Sequence, residues 1–408
     1  MTGLFFILLL VLEVGVLFYL ERIAWHTLYT PLTCLMMPYL LVQVVTLLIA
    51  GHFGFVSFYY PSIYVWSIGL VVFALPSYVL SIATTKYAST FCRPVSSNSY
   101  PLSLGIISVG LIIAFFLRLL YTLKTSNYLL GTEDFADDFC GHGLWAHLRC
   151  AIIPLLIVAI YHVRKRSYLL WCVVLALLAI QLIYLVKGAV IITVVSGLFI
   201  RLYAGKMNLS LSLLLKLVIG ALALFLATYM VLPLLGSNGD ANLELVKFVM
   251  GHFVHYLTSG TLGYSYDLQI NCPDTGSFET LVSPFINIYR QFTGNDQMLS
   301  AVNPYYLYTG LSWTNVRTFF GTMYIYCNTW QFVAYTLTAS TLMYAIKLVA
   351  MGTGNLYVYA ILCYYCGLMA MGWFEFYLFH LAAFEVPVVC LLLMVIEKVE
   401  IYFKAKIK

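Results

Sequence analysis

Long uninterrupted apolar runs recur along the whole of this 408-residue chain, and they restrict its fold more than any other feature. A helix needs roughly 20 apolar residues to cross a bilayer. Runs of about that length fall at 3–20, 32–51, 61–84, 102–122, 148–163, 168–186, 188–205, 213–236, 319–347, 355–373 and 376–397. They are continuous, not alternating, which argues against the period-two pattern of a membrane β-barrel. Of all residues 62% are hydrophobic and only 9% are charged, against roughly a quarter charged in a soluble domain. So few charges cannot cover so much apolar surface in water. The expectation is an all-α polytopic membrane protein of about 11 transmembrane helices, within a range of about 10–12, with residues 1–408 forming a single transmembrane domain. Met1-Thr2-Gly3 carries no basic stretch of the kind that opens a cleavable signal, so the first run is expected to be retained as a helix.

Lys and Arg near span ends set orientation. If Arg164-Lys165-Arg166 is cytoplasmic, then Arg22, Lys86, Arg93, Arg201, Lys206, Lys216, Lys347 and the tail Lys398, Lys404, Lys406 and Lys408 fall on that side too. Two connections then lie outside: an acidic loop at 123–147 and a large extracytoplasmic loop at 237–318. Within the large loop, 243–259 and 280–292 space their apolar residues as helices do. Short helices lying on or dipping into the outer face are expected there. The run at 319–347 is long enough to tilt or break. The net charge of +5 sorts by side of the membrane and forms no basic nucleic-acid-binding face, so no nucleic-acid partner is expected.

Three basic residues break the charge bias at the outer face: Lys187, Arg290 and Arg317. Each has a bland reading as an interfacial anchor or a partner for an outer carboxylate. Together they would make a cationic patch at headgroup level, suited to a lipid-linked phosphate or diphosphate. His252 and His255 sit three apart and share a helix face, which suits proton transfer or sugar hydrogen bonding. A third metal ligand at a persuasive spacing is missing, so no metal is expected. Glu13, Glu375 and Glu385 lie within or beside apolar runs, where each can pair with Arg118 or line a wet cavity. No phosphate-binding glycine loop, nucleophile elbow or zinc motif is present, and no cofactor is expected.

Three stretches resemble the oligosaccharide repeat-unit polymerases, the Wzy-type O-antigen and capsule polymerases. Leu185-Val-Lys187-Gly188-Ala-Val-Ile-Ile, followed by Gly205-Lys206, is similar to the family's basic-plus-small opening of a helix, with Lys where many relatives of the wider group carry Arg. Tyr256-Leu-Thr-Ser-Gly260-Thr-Leu-Gly263-Tyr264-Ser resembles the aromatic, glycine-containing segment of the long outer loop. Asn315-Val-Arg317-Thr318-Phe-Phe, followed by Tyr324 and Tyr326, resembles the family's Asn-Val-aromatic-Thr-Phe pattern, with Arg317 in place of the aromatic. Cys327-Asn-Thr stands where an acid and a glycine are usual. Members often keep both termini in the cytoplasm, whereas eleven spans put this N-terminus outside.

The resemblance implies a GT-C-like bundle and a metal- and nucleotide-sugar-independent membrane glycosyltransferase. It would polymerise undecaprenyl-diphosphate-linked oligosaccharide repeat units at the outer face of the bacterial cytoplasmic membrane. Its site would face the periplasm or cell exterior. Membrane lipid and a chain-length regulator are the other expected partners. Lys187, Arg290 and Arg317 would stabilise the diphosphate leaving group. His255 or His252 would accept the hydroxyl proton, with Asp267 as the alternative base. Tyr256, Tyr264, Asp267, Asn315 and Tyr324 are the expected substrate-binding residues. An O-antigen ligase-type transferase and a lipid-linked oligosaccharide flippase or transporter are the competing readings.

Overall fold

The computed structural model describes residues 2–84, 92–95, 99–184, 187–210, 212–213, 215–216, 218–220, 222–223, 243–270, 277–300 and 302–407. The chain is an all-α membrane protein. Its helices are α1 (Thr2–Trp25), α2 (Pro31–Ile49), α3 (Ile63–Thr84), α4 (Leu102–Thr125), α5 (Glu133–Cys140), α6 (Gly143–His162), α7 (Tyr168–Ile183) and α8 (Lys187–Tyr203). They continue with α9 (Leu243–Gln269), α10 (Ser283–Phe292), α11 (Phe319–Tyr326), α12 (Thr329–Thr353), α13 (Leu356–Ala370) and α14 (Ala382–Ile407). One small antiparallel hairpin, β1 (Leu307–Tyr308) and β2 (Trp313–Thr314), pairs Leu307 with Thr314.

Among the described residues, six helices are long and apolar enough to cross a membrane: Gly3–Trp25, Pro31–Phe53, Tyr60–Ile82, Leu102–Thr125, Gly143–His162 and Thr329–Thr353. Tyr168–Ile183, Gly188–Tyr203 and Leu356–Ala370 are apolar but shorter. The span expected at 213–236 falls largely outside the described residues. The long run at 319–347 breaks into α11 and α12, and the sequence supplies the reason. Asn328 Oδ1 accepts from Gln331 N while Gln331 Oε1 accepts from Asn328 N, each at 2.9 Å. This reciprocal box starts a new helix and satisfies two donors that a helix start leaves open.

The chain forms two compact units. The first comprises Met1–Ser89, Ala241–Ala345 and Leu368–Ala383. Its α1 buries Leu10, Val14, Leu17, Glu21 and Trp25, a stripe at helical spacing, and exposes most of its remaining surface, as a helix in lipid does. Glu21 accepts from Ser77 Oγ and, at 3.0 Å, from Tyr344 Oη, and Trp25 Nε1 donates to Ser77 Oγ at 2.8 Å. These bonds meet the cost of an acid inside an apolar bundle. Thr30 caps α2 and Pro31 fills its first position, where the missing N–H costs nothing. Tyr39 of α2 stacks on Trp66 of α3 with ring centroids 3.4 Å apart. Beyond the far end of α2, Val56 N donates to Thr309 O at 2.9 Å, which ties the segment after α2 to the hairpin connection.

The second unit comprises Thr90–Asp240, Ile346–Gly367 and Phe384–Lys408. Its centre is α6, buried continuously from Ile152 to Ala159. Arg201 donates to Ile160 O at 2.9 Å and Val163 O at 2.8 Å, and Lys206 donates to Tyr161 O at 3.0 Å. Two basic residues that the charge bias predicts at one rim therefore satisfy the carbonyls left open at the end of α6.

Candidate functional site

The site begins with a glycine pattern in α9. Residues 258–265, Thr-Ser-Gly-Thr-Leu-Gly-Tyr-Ser, are all buried. A Cβ on Gly260 would lie 2.6 Å from Trp373 O and 2.5 Å from Phe374 O. A Cβ on Gly263 would lie 3.0 Å from Val316 O and from the Arg317 guanidinium. Small residues three apart let two pieces of backbone approach one side of the helix, as they do between membrane helices.

That approach brings Arg317 to Asp267. The guanidinium is 2% exposed. Its Nε bonds Asp267 Oδ2 and its Nη2 bonds Oδ1 at 3.2 Å, a two-pronged pair. Nη1 donates to Val316 O at 3.0 Å and to Thr314 O at 3.3 Å. Burial pushes the Asp267 carboxyl above its ordinary range, and the Arg317 charge opposes that rise. Thr318 then caps α11 by accepting from Gly321 N at 3.1 Å, and its hydroxyl also accepts from Trp66 Nε1 at 2.8 Å. Gly321 packs on the Tyr264 ring, Tyr264 contacts Tyr324 edge-on, and Asn315 Nδ2 donates to Asn303 O at 3.2 Å. Tyr326 Oη donates to Asn303 Oδ1 at 2.7 Å.

Of the residues expected from sequence, Arg317, Asp267, Tyr264, Tyr324 and Asn315 therefore share one neighbourhood. His252, His255 and Tyr256 form a second on the same helix. The two histidine rings lie 6.2 Å apart, His255 faces Phe55, and Tyr256 stacks on Phe374. Burial, with His252 alongside, pushes the His255 imidazole down to about 4, so it is neutral at physiological pH. Its Nδ1 is buried without a hydrogen-bond partner among the described residues. Twelve residues of α9 separate His255 from Asp267, about 18 Å of helix. Arg290 lies on α10 and donates to Gln297 O. The side chain of Lys187 lies outside the described residues.

Glu385, one of the carboxylates in apolar runs, finds another partner than Arg118. Glu385 meets His147 Nδ1 at 2.9 Å, and Arg118 donates to the carbonyls of Asp138 and Phe139. Glu375 stands in the turn that receives Gly260, and burial pushes its carboxyl up to about 7. Sequence reasoning missed Asn303, which lies on no helix, and Glu21, although the Leu10–Trp25 stripe places it on the core face. It also missed the Trp66–Thr318 link, whose partners stand 252 residues apart. Among the described residues no group of three or more His, Cys, Asp or Glu is arranged to hold a metal ion. No curated protein and no solved structure matches the chain. Residues 54–403 match the model of a family of unknown function, DUF6337, and because that match spans most of the chain, the protein belongs to this family.

Proposed function

We propose that this chain is a membrane glycosyltransferase that polymerises undecaprenyl-diphosphate-linked repeat units at the outer face of a bacterial cytoplasmic membrane. It would do so as a GT-C-like bundle of about eleven spans. One observation carries the reading: two of the stretches that resemble repeat-unit polymerases, 256–265 and 315–320, pack on one another around the Arg317–Asp267 pair. In this reading the pair is a rigid brace and not a free cation, because both carboxylate oxygens are engaged. It holds Tyr324, which is half exposed, and Asn315 where a sugar can meet them. The neutral His255 is the form of imidazole that accepts a hydroxyl proton. Of the remaining cations, Arg290 lies in the same unit as this pair and is the candidate for the diphosphate, which gains charge as it leaves. Membrane lipid and a chain-length regulator are the proposed partners.

The test is deletion of the gene in its source organism, with analysis of the surface glycan by gel ladder. Single repeat units attached to the final acceptor support a polymerase. Full-length glycan stranded on its lipid carrier means a ligase instead. Loss of all surface glycan, with lipid-linked units trapped in the cytoplasmic leaflet, means a flippase.

A further inference from the structure

Helix α10 is turned the wrong way for a helix facing water. At about 100° per residue, Ser283, Asn287 and Arg290 share one arc, and all three are tied to protein. Ser283 Oγ donates to Phe379 O at 3.5 Å. Asn287 clamps the backbone of Leu299 from both sides, accepting from its N–H at 2.8 Å and donating to its carbonyl at 2.9 Å. Arg290 donates to Gln297 O. The opposite arc holds Phe285, Ile288, Tyr289 and Phe292, spaced i, i+3, i+4 and i+7, and these are 53%, 40%, 68% and 87% exposed. An amphipathic helix in a soluble protein puts its apolar arc inward. Here the polar arc is inward and the apolar arc is out.

From this inversion we infer that α10 is an interfacial helix whose Phe285–Phe292 arc lies in the headgroup–acyl boundary of the bilayer. The size of the arc selects lipid over a protein partner. Four side chains with these exposures offer roughly 500 Å², short of the ~800 Å² per side that a stable protein interface buries. The composition fits as well, because aromatic rings with a polar tip, such as Tyr289, concentrate at the membrane interface. Placement agrees, since α10 belongs to the unit that carries α1, α2 and α3 and is fastened to it through Ser283. The only charge on α10 is Arg290, which is directed at Gln297 O, so docking does not depend on anionic lipid. This inference is independent of the glycosyltransferase reading.

The experiment places the photoreactive residue p-benzoylphenylalanine at Phe292 in the full chain. The chain is reconstituted in phosphatidylcholine nanodiscs, irradiated, and its adducts are identified by mass spectrometry. A phosphatidylcholine adduct as the main product, at equal yield in 50 mM and 500 mM salt (about 14 Å and 4 Å of screening length), is the expected result. Crosslinks to a second copy or to another protein, or no lipid adduct beyond that of the same probe at exposed Asn295, would overturn it. A lipid adduct that falls several-fold with salt would overturn the charge-independent form. Because Phe292 is 87% exposed, the probe is accommodated without repacking.

Discussion

Helices α9 and α10 come from one polar-flanked segment, read from sequence as helices on the outer face, and the structure treats them in opposite ways. Residues 258–265 of α9 are buried on a stripe of glycine, serine and threonine, close enough to carbonyl oxygens that only hydrogen fits at Gly260. In α10 the rings are exposed and the amide and guanidinium groups turn to the protein. Apolar periodicity is present in both. What decides the direction is what the other face offers: small side chains permit backbone contact, whereas Asn287 and Arg290 seek carbonyls. A helical period shows that a helix has two faces and leaves open which of them is inside.

The largest expected effect breaks the buried side of this contrast. Arg317→Ala leaves the Asp267 carboxylate buried without its cation, which costs about 3–5 kcal/mol. Thermal unfolding in detergent should show a large drop for this variant. Asp267→Asn combined with Arg317→Gln should recover part of it, because no lone charge remains. A single variant as stable as the native chain would mean that the pair does not hold α9 to Arg317. Next in size is Gly260→Ala, whose methyl meets two backbone carbonyls that cannot rotate away, at about 1–3 kcal/mol. Gly251→Ala, nine residues earlier on the same helix with nothing within 4 Å, should instead stabilise by up to about 1 kcal/mol. Equal effects at the two positions would erase the distinction between the two halves of α9.

The helical membrane class was legible because hydropathy acts over whole spans, and most expected spans coincide with helices. The break at Cys327–Asn328 was legible only in part. The Asn328-x-x-Gln331 box is written in the sequence, but continuous hydropathy on both sides hides it. The Arg317–Asp267 pair could be foreseen as two candidates, though not as a pair, since 50 residues separate them and neither position signals the other. Arg290 was legible as a cation without a cytoplasmic reason. Its partner, a backbone carbonyl, has no sequence signature at all. Glu21 was there to be found, since any acid on the buried stripe of an apolar helix needs donors.

A smaller, pH-dependent effect concerns the turn against which α9 packs. Burial raises Glu375 from 4.5 to about 7. A group whose folded value is raised contributes stability that is full below its unfolded value and is lost as pH rises through the folded one. The melting temperature of the native chain should therefore decline between about pH 5 and 8 more steeply than that of Glu375→Gln. Parallel curves for the two proteins would mean that Glu375 is solvated and that the turn under Gly260 is open to water.

The smallest effect on folding is expected on α10, and its smallness is what sharpens the comparison. Phe292→Ser removes an exposed ring that holds nothing in the protein, so unfolding in detergent should change by no more than about 0.5 kcal/mol. In a bilayer the same ring is a membrane contact, so Phe292→Ser should leave the helix folded and loosen its hold on the surface. Hydrogen exchange of the 283–292 amides, compared between nanodisc and detergent, reads this directly. The native chain should show stronger protection in lipid, and the variant should lose most of that difference while α9 exchanges as before. If Phe292→Ser costs as much in detergent as Gly260→Ala, the ring is packed against protein after all, and α9 and α10 obey the same rule.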